Sequence, residues 1–495
     1  MKMKRLLCLL PLLVLAGCHR SSVPQDFTES DAAPRIYPDY AEVTVPPNIA
    51  PLRFHIEDEG EELVTRLSAE GVSYVFGGCD VCPSVKSWRK LTSRPGDITA
   101  EVFLRRTDGW QRLRPFRIHV APDSITPYLA YRLIAPSYVA YEDLTICQRN
   151  LENYDERVIY GNMINSDERN GQCINCHAFQ QYNPQRMQFH VRQSYGGTIV
   201  AYDGRLQKVD LKCDSLLSAG VYPAWHPTAP LIAYSTNLTS QLFHTRNMQK
   251  VEVLDTYSDL ILYDIEQSQV IALPRDSDEL DCFPWWSPDG TTLYYCAARY
   301  TPTDSLLPRE QDMVRHYTRL RYNLVARSFD LKSRTFGPPR IVFDAAAQGK
   351  SATLPRLSPD GRWLLFTLGG HGIFHIWHRD ADLWMMDLTT ETARALSEVN
   401  SPQVESYHSW SRNGRWIVFS SRRDDGNYTR PFFAHVGKDG RMTKPFELPA
   451  RDPLYHRQLM RSYNIPEFID GPVTTSPQEL ARIVRGKATH IPLAP

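Results

Sequence analysis

The chain has 495 residues, with 56 Lys and Arg balanced by 56 Asp and Glu, and 15 His. That balance leaves no electrostatic footprint for nucleic acid, so no nucleic-acid partner is expected. Length suggests two to four domains, and 36 Pro and 25 Tyr with few long helical periods argue for a mainly β fold.

The N-terminus has a basic start at Lys2, Lys4 and Arg5, then an apolar run over residues 6–15 too short to span a bilayer. The run ends in Leu15-Ala16-Gly17-Cys18. This tetrapeptide resembles the lipobox of bacterial lipoproteins. The resemblance implies a signal over 1–18, cleavage before Cys18 and a diacylglyceryl group on its thiol. Acyl chains there would hold the protein to a membrane facing the periplasm. His19 in place of Asp favours the outer membrane over the inner. Residues 19–38 are polar and Pro-containing, and are expected to be a tether.

Residues 39–145 read as short strands, at 52–56, 72–76, 98–104 and 116–120, with Thr107-Asp108-Gly109 as a hairpin turn. A small β-sandwich, immunoglobulin-like in size and pattern, is expected. The acidic run 57–62 reads as a solvated turn. Cys79-Asp80-Val81-Cys82 precedes Pro83 rather than His and reads as a loop clip.

Over 146–192 the pattern changes: 151–165 has a helical cast and is followed by Cys173-Ile174-Asn175-Cys176-His177. Cys-x-x-Cys-His is the spacing of a c-type haem attachment site. On a helical turn the two thiols share a face and can form thioethers to the haem vinyl groups, with His177 ligating iron. One covalent haem c is therefore expected on Cys173, Cys176 and His177. His190 is the expected distal iron ligand, with Met187 as the alternative. Pro184 should stop any helix begun at Cys173.

Over 193–450 a repeat dominates. Its copies are Tyr222-Pro223-Ala224-Trp225-His226-Pro227, Phe283-Pro284-Trp285-Trp286-Ser287-Pro288-Asp289-Gly290, Leu354-Pro355-Arg356-Leu357-Ser358-Pro359-Asp360-Gly361 and Tyr407-His408-Ser409-Trp410-Ser411-Arg412-Asn413-Gly414. Each copy reads as strand, tight turn, strand, and each is followed by a second hairpin, which makes four strands per unit. A partial unit at 198–211 brings the expected count to about five blades. These repeats are similar to those of TolB-like β-propellers. The order of haem motif, Phe189-His190-Val191-Arg192 and propeller resembles exported lipoproteins of Bacteroidetes type. The resemblance implies a haem-bearing propeller and leaves the reaction open. Residues 451–495 read as a tail with one helix, Pro477–Arg485.

Cys282 and Cys296 flank the turn at 287–290 and are expected to face each other, in an oxidising compartment as a disulfide. No Gly-x-Ser-x-Gly elbow or α/β domain is present for a peptidase. His371, His375 and His378 would share a face on a helix, but inside a propeller they read as an inter-strand loop. Asp424-Asp425-Gly426 reads as a turn.

The leading expectation is a membrane-anchored monohaem cytochrome passing electrons to a protein docked on the propeller. Two alternatives stay open: a haem enzyme or small-ligand sensor with an open distal site, and a propeller that binds an envelope protein and carries a structural haem. Whether the protein is an enzyme is undecided at this level.

Overall fold

The computed structural model describes residues 22–135, 143–167, 169–245, 249–274 and 276–494. The proposed signal, lipobox and Cys18 lie outside them. No helix among the described residues is long and apolar enough to cross a membrane.

The N-terminal region has two sheets. Seven strands between Thr28–Glu29 and Phe116–Val120 form one, and Ile36–Tyr37, Phe54–Ile56 and Asp80–Val81 form the other. Alternation does the sorting: in Phe116–Val120 the residues Phe116, Ile118 and Val120 are buried and Arg117 faces out. The supposed tether is drawn into this domain, because Thr28–Glu29 pairs with Gln111 and Arg112, and Ile36–Tyr37 pairs with His55 and Ile56. The acidic run is spent on surface ion pairs, Asp58 with Arg35 and Glu62 with Arg105. The domain core around Tyr40, Phe54 and Trp88 continues without a break into Trp416, Phe433 and Phe446 of the following region.

The rest of the molecule is mainly β and propeller-like. Six sheets follow one another around an axis, with inner strands Gln172–Gln180, Val221–Trp225, Glu279–Trp286, Ser351–Leu357, Glu405–Trp410 and Ser462–Ile469. Each inner strand touches the next, and the sixth also touches the first, so the ring closes. Closure is made by the C-terminus. Ser462–Ile469 pairs with Tyr128–Ile134, which is followed outward by Thr145–Asn150 and Glu156–Gly161. Strands from both chain ends thus share one sheet, which ties the ring shut and removes its open edge.

Three sequence expectations change here. The strands at 128–150 belong to the ring, so the sandwich ends near Val120. The segment with helical cast holds the strand Glu156–Gly161 and a short 3-10 turn at Asn162–Ile164. The region 451–495 supplies an inner strand and the helix Pro477–Arg485, whose Leu480, Ala481 and Val484 are buried against the sixth and first sheets. In each case local periodicity was weak, and burial between neighbouring sheets chose the conformation.

One local device repeats in all six inner strands. Cys176, Tyr222, Phe283, Leu354, Tyr407 and Ile465 all have φ between 44° and 56°. In the first five sheets this residue sits at a register shift of the inner ladder. It is a β-bulge, whose extra residue re-aims the chain at the axis. The next residue is Pro in four sheets, where no N–H is left to pair, and His177 or His408 in the other two. The residue after that faces the axis, and the one after that packs between sheets. Three of the latter are indoles that donate to the preceding sheet: Trp225 Nε1 to Ala178 O at 3.3 Å, Trp286 Nε1 to Ala224 O at 3.1 Å, and Trp410 Nε1 to Arg356 O at 3.2 Å.

The turns obey one rule as well. Ser287, Ser358 and Ser411 each accept the N–H five residues on, at 2.9–3.0 Å, while Gly290, Gly361 and Gly414 take φ between 66° and 75°. His226 replaces the serine of this turn, its Nδ1 accepting from Ala229 N and its Nε2 donating to Gly290 O of the next sheet.

Candidate functional site: the axial cavity

Because the bulge repeats, six inner strands present equivalent side chains to one axial cavity. Its wall is formed by Cys176, His177 and Ala178, by Tyr222 and Pro223, and by the corresponding residues of the other four strands. The cavity is small, about 50 Å³, and leads into a second chamber of about 90 Å³ toward the turn end, rimmed by Pro227, Pro288 and Pro359.

Most of the wall is apolar, so its charged groups stand out. Arg356 follows the bulge in the fourth sheet and Glu467 in the sixth. The Arg356 guanidinium stacks over the Trp285 ring at 4.0 Å, and Nη1 donates to Pro355 O at 2.9 Å. No carboxylate among the described residues closes an ion pair with it. Burial pulls Arg356 down to about 10, with Glu467 acting in the opposite sense. Burial also pushes Glu467 up to about 8, against the hydrogen bond that its Oε1 accepts from Phe179 N at 3.1 Å. At neutral pH the axis therefore holds a cation and a neutral carboxylic acid.

Two histidines complete the wall. His177 Nε2 donates to Ile465 O at 3.0 Å and His408 Nε2 to Leu365 O at 3.1 Å. Burial, with Arg132 adding to it at His177 and Arg356 at His408, lowers both to about 3, so both are neutral.

The Cys-x-x-Cys-His motif is thus the inner-strand repeat of the first sheet, with Cys176-His177-Ala178-Phe179 in the slots of Tyr222-Pro223-Ala224-Trp225. Cys173 and Cys176 lie on an extended strand, Gln172–Gln180, where three residues advance about 10 Å rather than the roughly 4.5 Å of a helix. His190 is buried, with Nδ1 3.1 Å from Thr198 Oγ1, and Met187 packs in the apolar cluster between the first and sixth sheets. The cavity beside His177 has room for a few waters, far short of the roughly 300 Å³ or more of a drug-sized pocket. Folded this way, these residues do not fit a covalently held haem.

Cys282 and Cys296 are directly opposite in register, as expected, but both are free thiols. Facing positions on adjacent strands put Cβ atoms about 4.5–5.5 Å apart, wider than a disulfide prefers. Cys282 Sγ instead accepts from Ser235 Oγ at 3.6 Å and Asn237 Nδ2 at 3.5 Å. Cys79 and Cys82 are free as well.

Sequence reasoning missed Arg356, Glu467 and Trp285. The signal was there in the repeat itself, since all three occupy the position after the Pro slot. The sixth copy, Ile465-Pro466-Glu467-Phe468, lies in what looked like a tail and lacks the Ser-Pro-Asp-Gly turn.

Neither a family model nor a curated protein matches this sequence. Solved structures that resemble it include prolyl oligopeptidase B from Galerina marginata, at 10% identity and TM-score 0.36, over 70% of this chain and 42% of that one. An oligogalacturonate lyase from Vibrio parahaemolyticus is similar at 12% identity and TM-score 0.32, over 73% and 89%. A puromycin-hydrolyzing peptidase from Mycobacterium tuberculosis is similar at 12% identity and TM-score 0.35, over 86% and 57%. The chain spans less than half the length of the first of these. Likeness at this level carries no statement about activity.

Proposed function

We propose that this protein is an envelope-anchored, six-bladed TolB-like propeller that binds a carboxylate-bearing ligand in its axial cavity. Six blades is the upper end of the four to six that the repeats allow around a count of five, and in this reading the closing blade combines strands from residues 128–161 with Ser462–Ile469. Anchoring through Cys18 is part of the proposal and rests on the lipobox resemblance. One observation carries the binding reading: Arg356 is held on the axis against Trp285, with no carboxylate among the described residues in ion-pair reach. Cations withdrawn from bulk water are normally paired, and for Arg356, half-buried and stacked on Trp285, a ligand carboxylate would supply the partner. The size of the cavity limits what enters to a short carboxylate or the carboxylate end of a longer chain.

Calorimetric titration with acetate, succinate and a peptide ending in a free carboxylate tests this. Binding is expected for at least one of them and should be lost in Arg356→Gln, a change that keeps the size and removes the charge. Equal affinity in both proteins would sink the reading.

The cytochrome reading has one observation in its favour, the Cys-x-x-Cys-His spacing. To act on it, the inner strand of the first sheet would have to leave the ladder.

A further inference from the structure

The second and third strands of the second sheet, Leu231–Phe243 and Val251–Asp264, run far past their neighbours and form a long hairpin. Its distal half overhangs the ring at the end opposite the turns. There Thr256 O accepts from Arg309 Nε of the third sheet's insertion at 2.9 Å, and Lys250 Nζ donates at 2.7 Å to Asn427 Oδ1, in the loop between Trp416–Ser421 and Arg430–His435 of the fifth sheet. Between these two contacts the hairpin meets the loop that follows Trp363–Gly369 in the fourth sheet.

At that meeting point Glu252, His371 and His378 converge. Glu252 Oε2 lies 2.7 Å from His378 Nε2 and 3.6 Å from His371 Nε2, and the three ligand atoms are all within 4.8 Å of one another. Glu252 and His378 are each 1% exposed and His371 is 20% exposed. Ligands on a tetrahedral zinc ion, about 2.0–2.1 Å from the metal, stand roughly 3.4 Å apart. The observed separations bracket that value. Glu252 Oε1 is buried with no hydrogen-bond partner, and the buried His371 Nε2 has only the long 3.6 Å approach to Glu252 Oε2. Gly372 keeps the space open: a Cβ there, at φ +72°, would stand 3.1 Å from Glu252 Oε1 and 3.5 Å from His378 Cε1. Gln249 Nε2 donates to Glu252 Oε2 at 2.8 Å and orients the carboxylate from outside. His375, expected beside the other two, is spoken for elsewhere, with Nε2 donating to His371 O and Nδ1 near Thr353 Oγ1.

We propose that Glu252, His371 and His378 bind a divalent first-row transition-metal ion, zinc being the reference case, and that this ion pins the overhanging hairpin to the fourth sheet. Two imidazoles and one carboxylate are a donor set for such ions rather than for calcium or magnesium. The partly exposed edge of His371, beside the Tyr317 ring at 5.5 Å, is the side from which an ion enters.

The test is titration of the chelator-treated full chain with Co²⁺, read by its visible d–d bands, and with Zn²⁺, read by calorimetry and by the melting temperature. One equivalent should bind and raise the melting temperature. Affinity should fall more than about tenfold in His371→Ala and in Glu252→Gln. Should Glu252→Gln fail to fold, His371→Ala carries the test, since that side chain is the least buried of the three. His55→Ala is the control, because His55, Cys79 and Asp80 are the other possible ligand group among the described residues. Loss of binding in His55→Ala, unchanged binding in His371→Ala, or no visible band at stoichiometric Co²⁺ would each overturn the proposal.

Discussion

Glu467 shows how one side chain's surroundings become a property of the whole protein. Its folded-state pKa, raised by burial to about 8, stands above an ordinary value near 4.5. Between those values the unfolded chain sheds a proton that the folded chain keeps. Its contribution to stability is therefore full below about pH 4.5 and is lost as pH rises through about 8. Glu467→Gln keeps the acceptor for Phe179 N and removes the titration. The variant should melt close to the parent at pH 5 and several degrees above it at pH 8.5, measured by circular dichroism. A constant difference across that range would show that Glu467 ionises normally. His177 works in the opposite direction. Held neutral at about 3, it contributes stability above pH 6.5 that is lost as pH falls.

Among elements, the inner strand carries most of the design. A bulge aims one residue at the axis, Pro in four of the six strands leaves no N–H to pair, and in five of the six an aromatic ring locks the sheet to its neighbour. The indole hydrogen bonds make the lock directional. Trp286 is 4% exposed and its Nε1 donates to a carbonyl of the preceding sheet at 3.1 Å. Trp286→Phe keeps much of the apolar contact with Phe329 but removes the hydrogen bond to Ala224 O. A loss of about 1–3 kcal/mol in denaturant unfolding is expected. No loss would mean that the indole is held by packing alone, as Leu357 must be in the fourth sheet, where the same slot has no donor.

For the molecule as a whole, ring closure decides what the Cys-x-x-Cys-His motif becomes. Cys176 and His177 sit where the other sheets place Tyr-Pro, Phe-Pro, Leu-Pro, Tyr-His or Ile-Pro, and His177 is tied to the closing strand through Ile465 O. Converting the motif to a helical turn would remove an inner strand and open the ring between its first and sixth sheets. Protein made in cells that mature c-type cytochromes should therefore show no Soret band after denaturing purification. A covalent haem band would require a rebuilt first sheet and would return the electron-transfer reading to the front.

The four central repeats were legible because turn chemistry is local: Pro-Asp-Gly in two copies and Asn-Gly in a third need no neighbour to specify a tight turn, and the first copy shares their flanking strands. The strands beside those turns and the helix Pro477–Arg485, with its Ser476 cap and Pro at the first turn, were legible for the same reason. Local pattern also made Cys-x-x-Cys-His visible, but the pattern is equally that of an inner strand, and only the neighbouring sheets choose between them. The sixth sheet was hidden because its strands come from segments some 300 residues apart, joined by hydrogen bonds that no short window contains. For the same reason Glu252 could not be read beside His371 and His378, nor Arg356 beside Glu467. Sequence alone determined the β character, the repeat and its turns. Tertiary structure decided which side chains share the axis and which share the hairpin, because closing a ring brings together residues that chain order keeps apart.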